Sequence, residues 1–371
     1  MTSLSDVSVP SRVAGNDEGV GLDELALATR NHGMPLELMR HDLTPLGAHY
    51  LLTHFDIPYV DPRTFRLELG GAVDRPVSLT LDELRSRPTV TVPVTLECAG
   101  NGRARLHPRP VSQPWLHEAV GTMAWTGTPL GPLLREAGVA PDGVDVVFTG
   151  ADHGIERGEE QDYARSLPLP VALDGDVLLA WAGNGADLPP QHGAPLRLVV
   201  PGWYGMASVK WLRRIEVVRT SFDGYQMRAY RLRQSPEETG EALTRIAPRA
   251  LIAPPGFPDF MSRTRVLRIG QHELEGRAWS GHGPVTAVEV TVDGGATWAP
   301  ARLHAPVGPW AWRRWTLPWD VRQPGRYVVS ARAEDATGRA QPHELTEAPW
   351  NRGGFANGAL HRLDVVVPVA D

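Results

Sequence analysis

The stretch Leu96-Glu97-Cys98-Ala99-Gly100-Asn101-Gly102-Arg103 holds the one cysteine of a 371-residue chain, and it follows directly on a β-type run over residues 90–95. A lone cysteine forms no disulfide within its chain, and free cysteine most often packs as a small buried hydrophobe. At a strand-to-loop junction beside glycine and arginine, however, positive charge and loop N–H groups stabilise a thiolate. The stretch therefore leaves two interpretations open: an inert core residue, or a reactive or metal-binding thiol.

Composition restricts the class of protein around this stretch. A length of 371 residues predicts two domains, and 42% hydrophobic with 22% charged residues is typical of a soluble globular protein. No apolar run approaches the roughly 20 residues that a membrane helix needs. The net charge of −6, with 37 scattered basic residues of which only Lys210 is lysine, argues against a nucleic-acid partner.

The first 21 residues are polar and acidic. They show no basic n-region, no apolar h-region and no twin arginine, so we expect a cytoplasmic protein. Export together with a signal-bearing partner is an alternative that the sequence leaves open.

Upstream of residue 247 the chain indicates a mixed α+β domain. Helical patterns cover residues 22–29, 79–85 and 129–137. Short apolar runs bounded by glycine, proline or charge are typical of buried strands, and they lie at residues 144–148, 177–181, 196–200 and 215–218. Helices are too few for a repeated βαβ array.

Downstream of a proline-rich loop the pattern becomes strand, turn, strand. About seven short strands, with turn signals at residues 293–295, 323–325 and 335–338, predict an immunoglobulin-like β-sandwich that has no cysteine pair. We therefore expect a polar tail over residues 1–23, a catalytic α+β domain over 24–247 and a β-sandwich over 248–371.

Several segments, taken in order, resemble the sulfite oxidase family of molybdopterin-dependent oxidoreductases. They are residues 30–32 (RNH), 96–101 (LECAGN), 192–202 (HGAPLRLVVPG), 208–212 (SVKWL), 293–298 (DGGATW), 310–312 (WAW) and 349–353 (PWNRG). The resemblance covers about residues 25–367. It implies a molybdopterin-binding α+β domain, followed by an immunoglobulin-like dimerisation domain through which two copies form a homodimer.

The resemblance also implies a molybdenum–molybdopterin cofactor, with Cys98 as the metal ligand. A soft thiolate suits a metal that is already bound by sulfur, and a terminal phosphate requires cationic donors. The implied cofactor-binding residues are Arg30, Asn31, His32, Cys98, Asp152, His192, Arg197, Ser208 and Lys210. Taken singly, His192 is typical of a loop histidine and Asp152 of a turn residue, so the motif and not the residue type carries each assignment.

For the substrate the resemblance implies three arginines, a tryptophan and a tyrosine. They are Arg30, Arg103, Arg352, Trp115 and Tyr230. The expected catalytic group consists of Arg30, Arg103, Tyr230 and Cys98. Several converging guanidinium groups favour a small anion over a neutral compound.

Three positions depart from the family pattern. Arg352 and Tyr230 each differ by one residue in spacing, which leaves a purely structural role open for both. Gly102 stands where the family often has a second arginine, which loosens the expected choice of substrate.

The function implied by the resemblance is oxidation of sulfite to sulfate at a cysteine-ligated oxo-molybdenum centre. We find no cytochrome-like region, and one cysteine cannot hold an iron–sulfur cluster, so we expect a separate electron acceptor such as a cytochrome or oxygen. One alternative is a molybdopterin-dependent reductase of a sulfoxide or another small oxo-compound. Another is a cofactor-free binding protein that has kept the fold.

Overall fold

Helices are short in the computed structural model, which describes residues 4–343 and 349–369. Within these ranges the α-helices are α1 (Leu4–Val7), α2 (Leu22–Arg30), α3 (Leu81–Arg85), α4 (Leu130–Ala137), α5 (Leu169–Ala172) and α6 (Tyr225–Ala229). Single 3-10 turns cover Leu36–Arg40, Leu46–Ala48, Arg103–Arg105, Pro190–His192 and Gly205–Ala207.

Most of the regular structure in the N-terminal part is β-strand. The strands are β1 (Arg66–Gly71), β2 (Val77–Thr80), β3 (Val90–Glu97), β4 (Val120–Pro129), β5 (Asp145–Glu156), β6 (Glu159–Pro168), β7 (Leu178–Gly183), β8 (Ala186–Asp187), β9 (Arg197–Val199), β10 (Leu212–Val218), β11 (Arg231–Leu232) and β12 (Glu241–Ala242). They form a sheet of order β2-β1-β10-β5-β6, a second sheet of order β3-β4-β7-β8 with β9 beside β7, and the pair β11-β12.

The two larger sheets share one apolar core. In the first sheet β1 runs parallel to β10, with Leu69 opposite Ile215, and the other pairings are antiparallel. Phe148 of that sheet packs in the same buried cluster as Leu179 and Leu198 of the second sheet. Cys98 directly follows β3 and Arg197 begins β9, so the second sheet positions both of these predicted site residues.

The C-terminal part is a β-sandwich. Its strands are β13 (Arg249–Ile252), β14 (Phe257–Pro258), β15 (Arg265–Val266), β16 (Gly270–Trp279), β17 (Val285–Thr291), β18 (Ala299–Pro300), β19 (Arg302–Leu303), β20 (Arg313–Val321), β21 (Gly325–Asp335) and β22 (His361–Val367). One sheet has the order β13-β16-β20-β19 and the other β14-β15-β22-β21-β17-β18. Trp315, Val288 and Val329 are buried between them. The predicted fold class, an α+β domain followed by a β-sandwich, is confirmed.

A buried ion pair joins the two parts beside Cys98. Glu97 ends β3 and Arg249 begins β13; their side chains are 3% and 4% exposed, and Nη1 of Arg249 lies 2.6 Å from Oε1 of Glu97. The indole Nε1 of Trp279 donates to Oε2 of Glu97 at 2.8 Å, and Nδ2 of Asn101 donates to Oε1 at 3.0 Å. The loop that follows β3 is thus held in part by the sandwich.

A loop of the sandwich, residues 351–357, packs on the loop that contains Cys98. The backbone N–H of Ala356 donates to the carbonyl of Ala99 at 2.9 Å, and Nδ2 of Asn357 donates to the carbonyl of Gly102 at 2.8 Å. Gly102 has φ +93°, and a Cβ there would lie 2.7 Å from Nδ2 of Asn357, so this position requires glycine.

The N-terminal segment, residues 8–14, lies across three separate loops. Oγ of Ser8 accepts from the N–H of Gly158 at 2.7 Å, and the carbonyl of Ser11 accepts from Nη2 of Arg352 at 3.2 Å. The N–H of Ala14 donates to the carbonyl of Arg109 at 2.8 Å. The segment is therefore fixed at both ends and in its middle.

Across residues 4–343 and 349–369, no helix combines the length and the apolar character that crossing a membrane requires. The domain limits at residues 23/24 and 247/248 stay predictions.

Candidate functional site

Two adjoining cavities meet at Cys98 and Tyr230. The narrow cavity has a volume of about 60 Å³, and the wide cavity about 440 Å³. Leu52 and His54 also line both of them. Cys98, which is 6% exposed, therefore lies where a ligand in one cavity would face a ligand in the other.

The thiol of Cys98 lies among groups that compensate for its burial. Burial raises its pKa, while the charge of Arg103, the N–H of Gly100 and the indole of Trp115 lower it. No cluster of three or more histidine, cysteine, aspartate or glutamate side chains suited to a metal occurs within the described ranges. A metal bound by Cys98 would therefore take its other ligands from a group that the protein does not supply.

Two histidines in the narrow cavity have buried nitrogens without partners. Nε2 of His49 and Nε2 of His192 make no hydrogen bond to any residue in the described ranges, and the two rings lie 5.7 Å apart. Burial lowers the pKa of His49 to about 4 and that of His192 to about 2, so both imidazoles are neutral. Buried nitrogens that lack a partner indicate a ligand or water at this place.

Cationic side chains surround the same cavity. Arg197 donates to the carbonyls of His192 and Ser208, each at 3.1 Å, and its guanidinium stacks 4.7 Å from the ring of Trp125. Lys210 donates from Nζ to the carbonyl of Leu52 at 2.9 Å. Burial lowers the pKa of Arg197 to about 10 and that of Lys210 to about 7.

Asp152 and Ser208 complete the lining of the narrow cavity. Asp152 is 5% exposed, its Oδ1 has no partner among the described residues, and burial raises its pKa to about 6 although Lys210 opposes the shift. Oγ of Ser208 accepts from the N–H of Val200 at 3.1 Å. The donor set of the cavity, unpaired histidine nitrogens, an unpaired carboxyl oxygen and two cations, fits a ligand that combines a polar ring system with a phosphate.

The wide cavity contains the predicted substrate residues Arg103, Trp115, Tyr230 and Arg352. Nε of Arg103 donates to the carbonyl of Gly353 at 2.9 Å, and burial lowers the pKa of Arg103 while Cys98 and Tyr230 raise it. The structure thus brings these four side chains into one cavity with Cys98.

Tyr230 is paired with a histidine that the sequence did not single out. Nε2 of His54 lies 2.8 Å from the phenol oxygen of Tyr230. Burial lowers the pKa of His54 and raises that of Tyr230 well above its usual range, so both groups are uncharged near neutral pH. The two side chains therefore form a neutral phenol–imidazole hydrogen bond that lines both cavities.

Phe355 supports two of the substrate residues at once. Its ring stacks on Tyr230, with centroids 5.0 Å apart, and the guanidinium of Arg103 lies 5.2 Å from its centroid. Two hydrogen bonds with the side chain of Asn351 hold the backbone of Phe355. The N–H of Phe355 donates to Oδ1 of Asn351 at 2.9 Å, and Nδ2 of Asn351 donates to the carbonyl of Phe355 at 2.8 Å.

Arg30, Asn31 and His32 lie at the end of α2, and of these three only Asn31 lines a cavity. Arg30 ends α2 with its side chain 43% exposed, donates to the carbonyl of Phe55 at 2.6 Å and faces Asp56 at 3.9 Å. His32 is exposed, and neither it nor Arg30 lines either cavity. Both residues nevertheless act electrostatically on the narrow cavity, since His32 contributes to the lowered pKa of His49 and of His192, and Arg30 to that of Lys210. Their assignment to the cofactor stays a prediction.

Asn31 is buried and lines the wide cavity, but its polar atoms are already used. Its Oδ1 accepts from the N–H of Thr53 at 2.7 Å, and its Nδ2 donates to the side chain of Gln113 at 3.0 Å. Asn31 thus positions residues 52–54, which line the cavities.

The side chains that sequence reasoning missed come mostly from residues 49–54. His49, Tyr50 and His54 line the narrow cavity, as does Tyr163 of β6. The signal was present, since two histidines and a tyrosine occur within six residues, but no motif drew attention to them.

Comparisons with known proteins agree with this arrangement. The family model described as "Oxidoreductase molybdopterin binding domain" matches residues 54–226, and the model described as "Mo-co oxidoreductase dimerisation domain" matches residues 250–367. Together they cover the residues around Cys98 and most of the sandwich.

Individual relatives support the same family. Sulfite oxidase of Gallus gallus is 35% identical over 361 residues, which are 88% of this chain and 74% of that protein. Nitrate reductase [NADH] 1 of Oryza sativa subsp. japonica is 32% identical over 360 residues, which are 89% of this chain but only 39% of that protein. The chain thus spans about two fifths of the nitrate reductases that it matches.

A solved structure has the same fold along nearly the whole chain. The sulfane dehydrogenase SoxCD of Paracoccus pantotrophus superposes with a TM-score of 0.76 at 25% identity, covering 98% of this chain and 97% of the SoxCD chain. Fold and site together define a molybdopterin-dependent oxidoreductase. The chain belongs to the sulfite oxidase family, the group that its cysteine stretch and histidine–lysine segment had indicated.

Proposed function

We propose that this protein oxidises sulfite to sulfate and passes the electrons to a separate acceptor. The observation that carries the proposal is the position of Cys98, which lies at the base of a cavity lined by Arg103, Arg352, Trp115 and Tyr230. A small oxyanion that enters this cavity meets the guanidinium of Arg103, which the carbonyl of Gly353 holds beside the thiol.

The narrow cavity supports the cofactor side of the proposal. Cys98 would bind the metal, and the residues that would hold the rest of the cofactor are His49, Asp152, His192, Arg197, Ser208 and Lys210. When bound, this cofactor supplies the two-electron redox chemistry and the transfer of an oxygen atom.

The protein's own task is to bind and orient the anion and to move protons. Arg103 is held by Gly353 and Phe355, so its fork is already oriented before the oxyanion arrives. Tyr230 and His54 offer a place for a proton next to the reacting group, because their oxygen and nitrogen are 2.8 Å apart.

We also propose that two copies associate through the sandwich. The match to a dimerisation domain over residues 250–367 supports this, and the hairpin between β14 and β15 exposes Phe260 and Met261, each 83% exposed. The electron acceptor is a separate protein or small molecule.

A second candidate is reduction of an oxyanion or another small oxo-compound. The 32% identity to a nitrate reductase favours it, and Gly102 leaves the cavity with one arginine fewer than the family pattern. The arginines that line the cavity suit an anion and not a neutral sulfoxide.

The test combines molybdenum analysis with turnover in a single preparation. We expect near-stoichiometric molybdenum and sulfite-dependent reduction of an artificial dye. Cys98→Ser should abolish turnover with an unchanged circular dichroism spectrum, and Arg103→Gln should raise the KM for sulfite at least tenfold.

Arg322→Gln is the matched control, since Arg322 is exposed and paired with Asp320 far from Cys98. It should leave kcat and KM unchanged. Molybdenum without sulfite turnover, combined with nitrate-dependent oxidation of a reduced dye, would establish the second candidate. Full activity in Cys98→Ser would remove the thiol from the metal site.

A further inference from the structure

Four arginines surround the outer part of the wide cavity. Arg157 lies in the turn between β5 and β6, Arg231 lies in β11 and Arg233 follows it, and Arg352 lies in the sandwich loop of residues 351–357. Arg103 is the inner cation, beside Cys98. Side chains from three separate parts of the fold thus converge on one opening.

Among the described residues, these guanidinium groups have no carboxylate as a direct partner. Within residues 4–343 and 349–369, none of the four outer arginines has a carboxylate oxygen within 4.0 Å. Their hydrogen bonds go to backbone carbonyls: Nη2 of Arg231 to Gly240 at 2.8 Å, and Nη2 of Arg352 to Ser11 at 3.2 Å. Carbonyls satisfy donors but leave the positive charge uncompensated.

Nearby carboxylates do not balance this charge. Glu156 is the only acidic side chain among the described residues that line the wide cavity. Glu237 lies farther out, and its pKa is lowered mainly by a hydrogen bond from Ser235 and only in part by Arg352. The fifth arginine of the rim, Arg12, is already paired with Glu18 at 2.6 Å.

The cavity is also larger than sulfite requires. A single water needs about 10–15 Å³ of such cavity space, so an anion that fills the space of two or three waters needs on the order of 20–45 Å³. The wide cavity measures about 440 Å³. It therefore offers room between Cys98 and the outer arginines beyond what sulfite fills.

We propose that the wide cavity takes organic sulfinates that carry a second anionic group, with the sulfinate at Arg103 and the distal anion at Arg157, Arg231, Arg233 and Arg352. A sulfinate is sulfite with one oxygen replaced by a carbon chain, so it keeps the sulfur lone pair and extends into the cavity. This inference rests on the proposed function for its chemistry.

The reaction has the same balance as sulfite oxidation. The sulfinate R–SO₂⁻ and one water give the sulfonate R–SO₃⁻, two protons and two electrons. One S–O bond forms with the oxygen of water, and the electrons leave to the same external acceptor.

The test first measures binding, which needs no turnover. Calorimetry with the molybdenum-containing protein compares 3-sulfopropanoate, a dianion, with 1-propanesulfonate, a monoanion of similar length. We expect the dianion to bind at least tenfold more tightly at low salt. In Arg157→Gln/Arg233→Gln this difference should fall below threefold, whereas Arg322→Gln should keep it.

Turnover is measured next, with 3-sulfinopropanoate and sulfite as alternative substrates for dye reduction. We expect the ratio of their kcat/KM values to fall at least tenfold in Arg157→Gln/Arg233→Gln. Equal binding of dianion and monoanion to the unaltered protein overturns the inference even if sulfite is oxidised. Preferential dianion binding without sulfite turnover leaves the inference standing and removes the proposed function.

Discussion

Asp152 and Lys210 both line the narrow cavity, and burial moves both toward their uncharged forms. The pKa of Asp152 rises to about 6 and that of Lys210 falls to about 7. A ligand with a hydrogen-bonding ring and a phosphate would use a carboxyl acceptor and an ammonium donor here. The shifted pKa values of Asp152 and Lys210 are therefore those of a site built to bind such a ligand.

Asp152 gives a prediction on stability and pH for the protein without cofactor. Its pKa is raised from 3.8 to about 6, so the folded state retains a proton that the unfolded chain releases. Protonated Asp152 therefore stabilises the folded state fully below pH 3.8, and this stabilisation is lost as the pH rises through 6. The loss in the free energy of unfolding is at most about 3 kcal/mol, at 1.36 kcal/mol per pKa unit. Asp152→Asn should abolish this loss.

Urea unfolding of both proteins at intervals between pH 4.5 and 7.5 measures the effect. Asp364→Asn, at an exposed position in β22, is the matched control and should follow the unaltered protein. Parallel stability curves for Asp152→Asn and the unaltered protein would show that Asp152 does not titrate in this way.

At the scale of single residues, the motifs with several fixed positions named side chains that the fold brings together, and the roles of these side chains stay predictions. Cys98, His192, Arg197, Ser208 and Lys210 lie around one narrow cavity. Arg30 and His32, at the exposed end of α2, line neither cavity, and their assignment to the cofactor stays a prediction. His54 was missed because its partner, Tyr230, is 176 positions away, and such contacts leave no local trace.

The sandwich loop of residues 351–357 is the element that connects the two parts of the chain at the substrate side. It makes hydrogen bonds to Ala99, Gly102 and Arg103. Through Phe355 it also contacts Tyr230. A domain whose default role is association thus contributes directly to the arrangement of the catalytic cavity.

Phe355 gives a prediction at this scale. Phe355→Ala removes the face on which Arg103 rests and the ring stacked on Tyr230. Cation–π contacts contribute about 0.5–2 kcal/mol, so the KM for sulfite should rise roughly 2- to 30-fold with a smaller change in kcat. Phe355→Tyr keeps the ring and should restore KM to within threefold of the original value.

Steady-state dye reduction with sulfite provides the measurement. Phe257→Ala, on the exposed β14 of the same domain, is the control. If Phe355→Tyr is as impaired as Phe355→Ala, the ring does not act by supporting Arg103.

Local signals predicted the elements with clear ends. Thr80 caps α3 with a reciprocal Glu83 hydrogen bond, and α4 stops at Gly138 in the left-handed conformation, so both helices end close to the limits predicted from the sequence. The hairpin of β5 and β6 was predicted only for its first residues, because beyond Phe148 it becomes polar and exposed and lacks an apolar run. Tertiary pairing stabilises that part.

For the whole molecule, the ion pair of Glu97 and Arg249 is the main buried charge contact between the two parts. Arg249→Leu leaves the carboxylate buried without its cation, which should destabilise the protein by about 3–5 kcal/mol. Glu97→Gln/Arg249→Leu should recover at least half of this loss, because no unpaired charge remains.

Urea unfolding followed by tryptophan fluorescence measures both variants, and the double-variant comparison isolates the pair. Arg263→Leu, which removes a half-exposed partner of Glu37, is the control and should cost less than 1 kcal/mol. A double variant as unstable as Arg249→Leu would mean that lost packing, and not the unpaired charge, causes the effect.

The N-terminal segment has a consequence for the order of assembly. Ser8 and Ser11 leave the ribosome early, but Ser11 contacts Arg352, which is made almost at the end of synthesis. The hydrogen bond from Arg352 to Ser11, which spans 341 positions of the chain, can therefore form only once the sandwich loop has been synthesised.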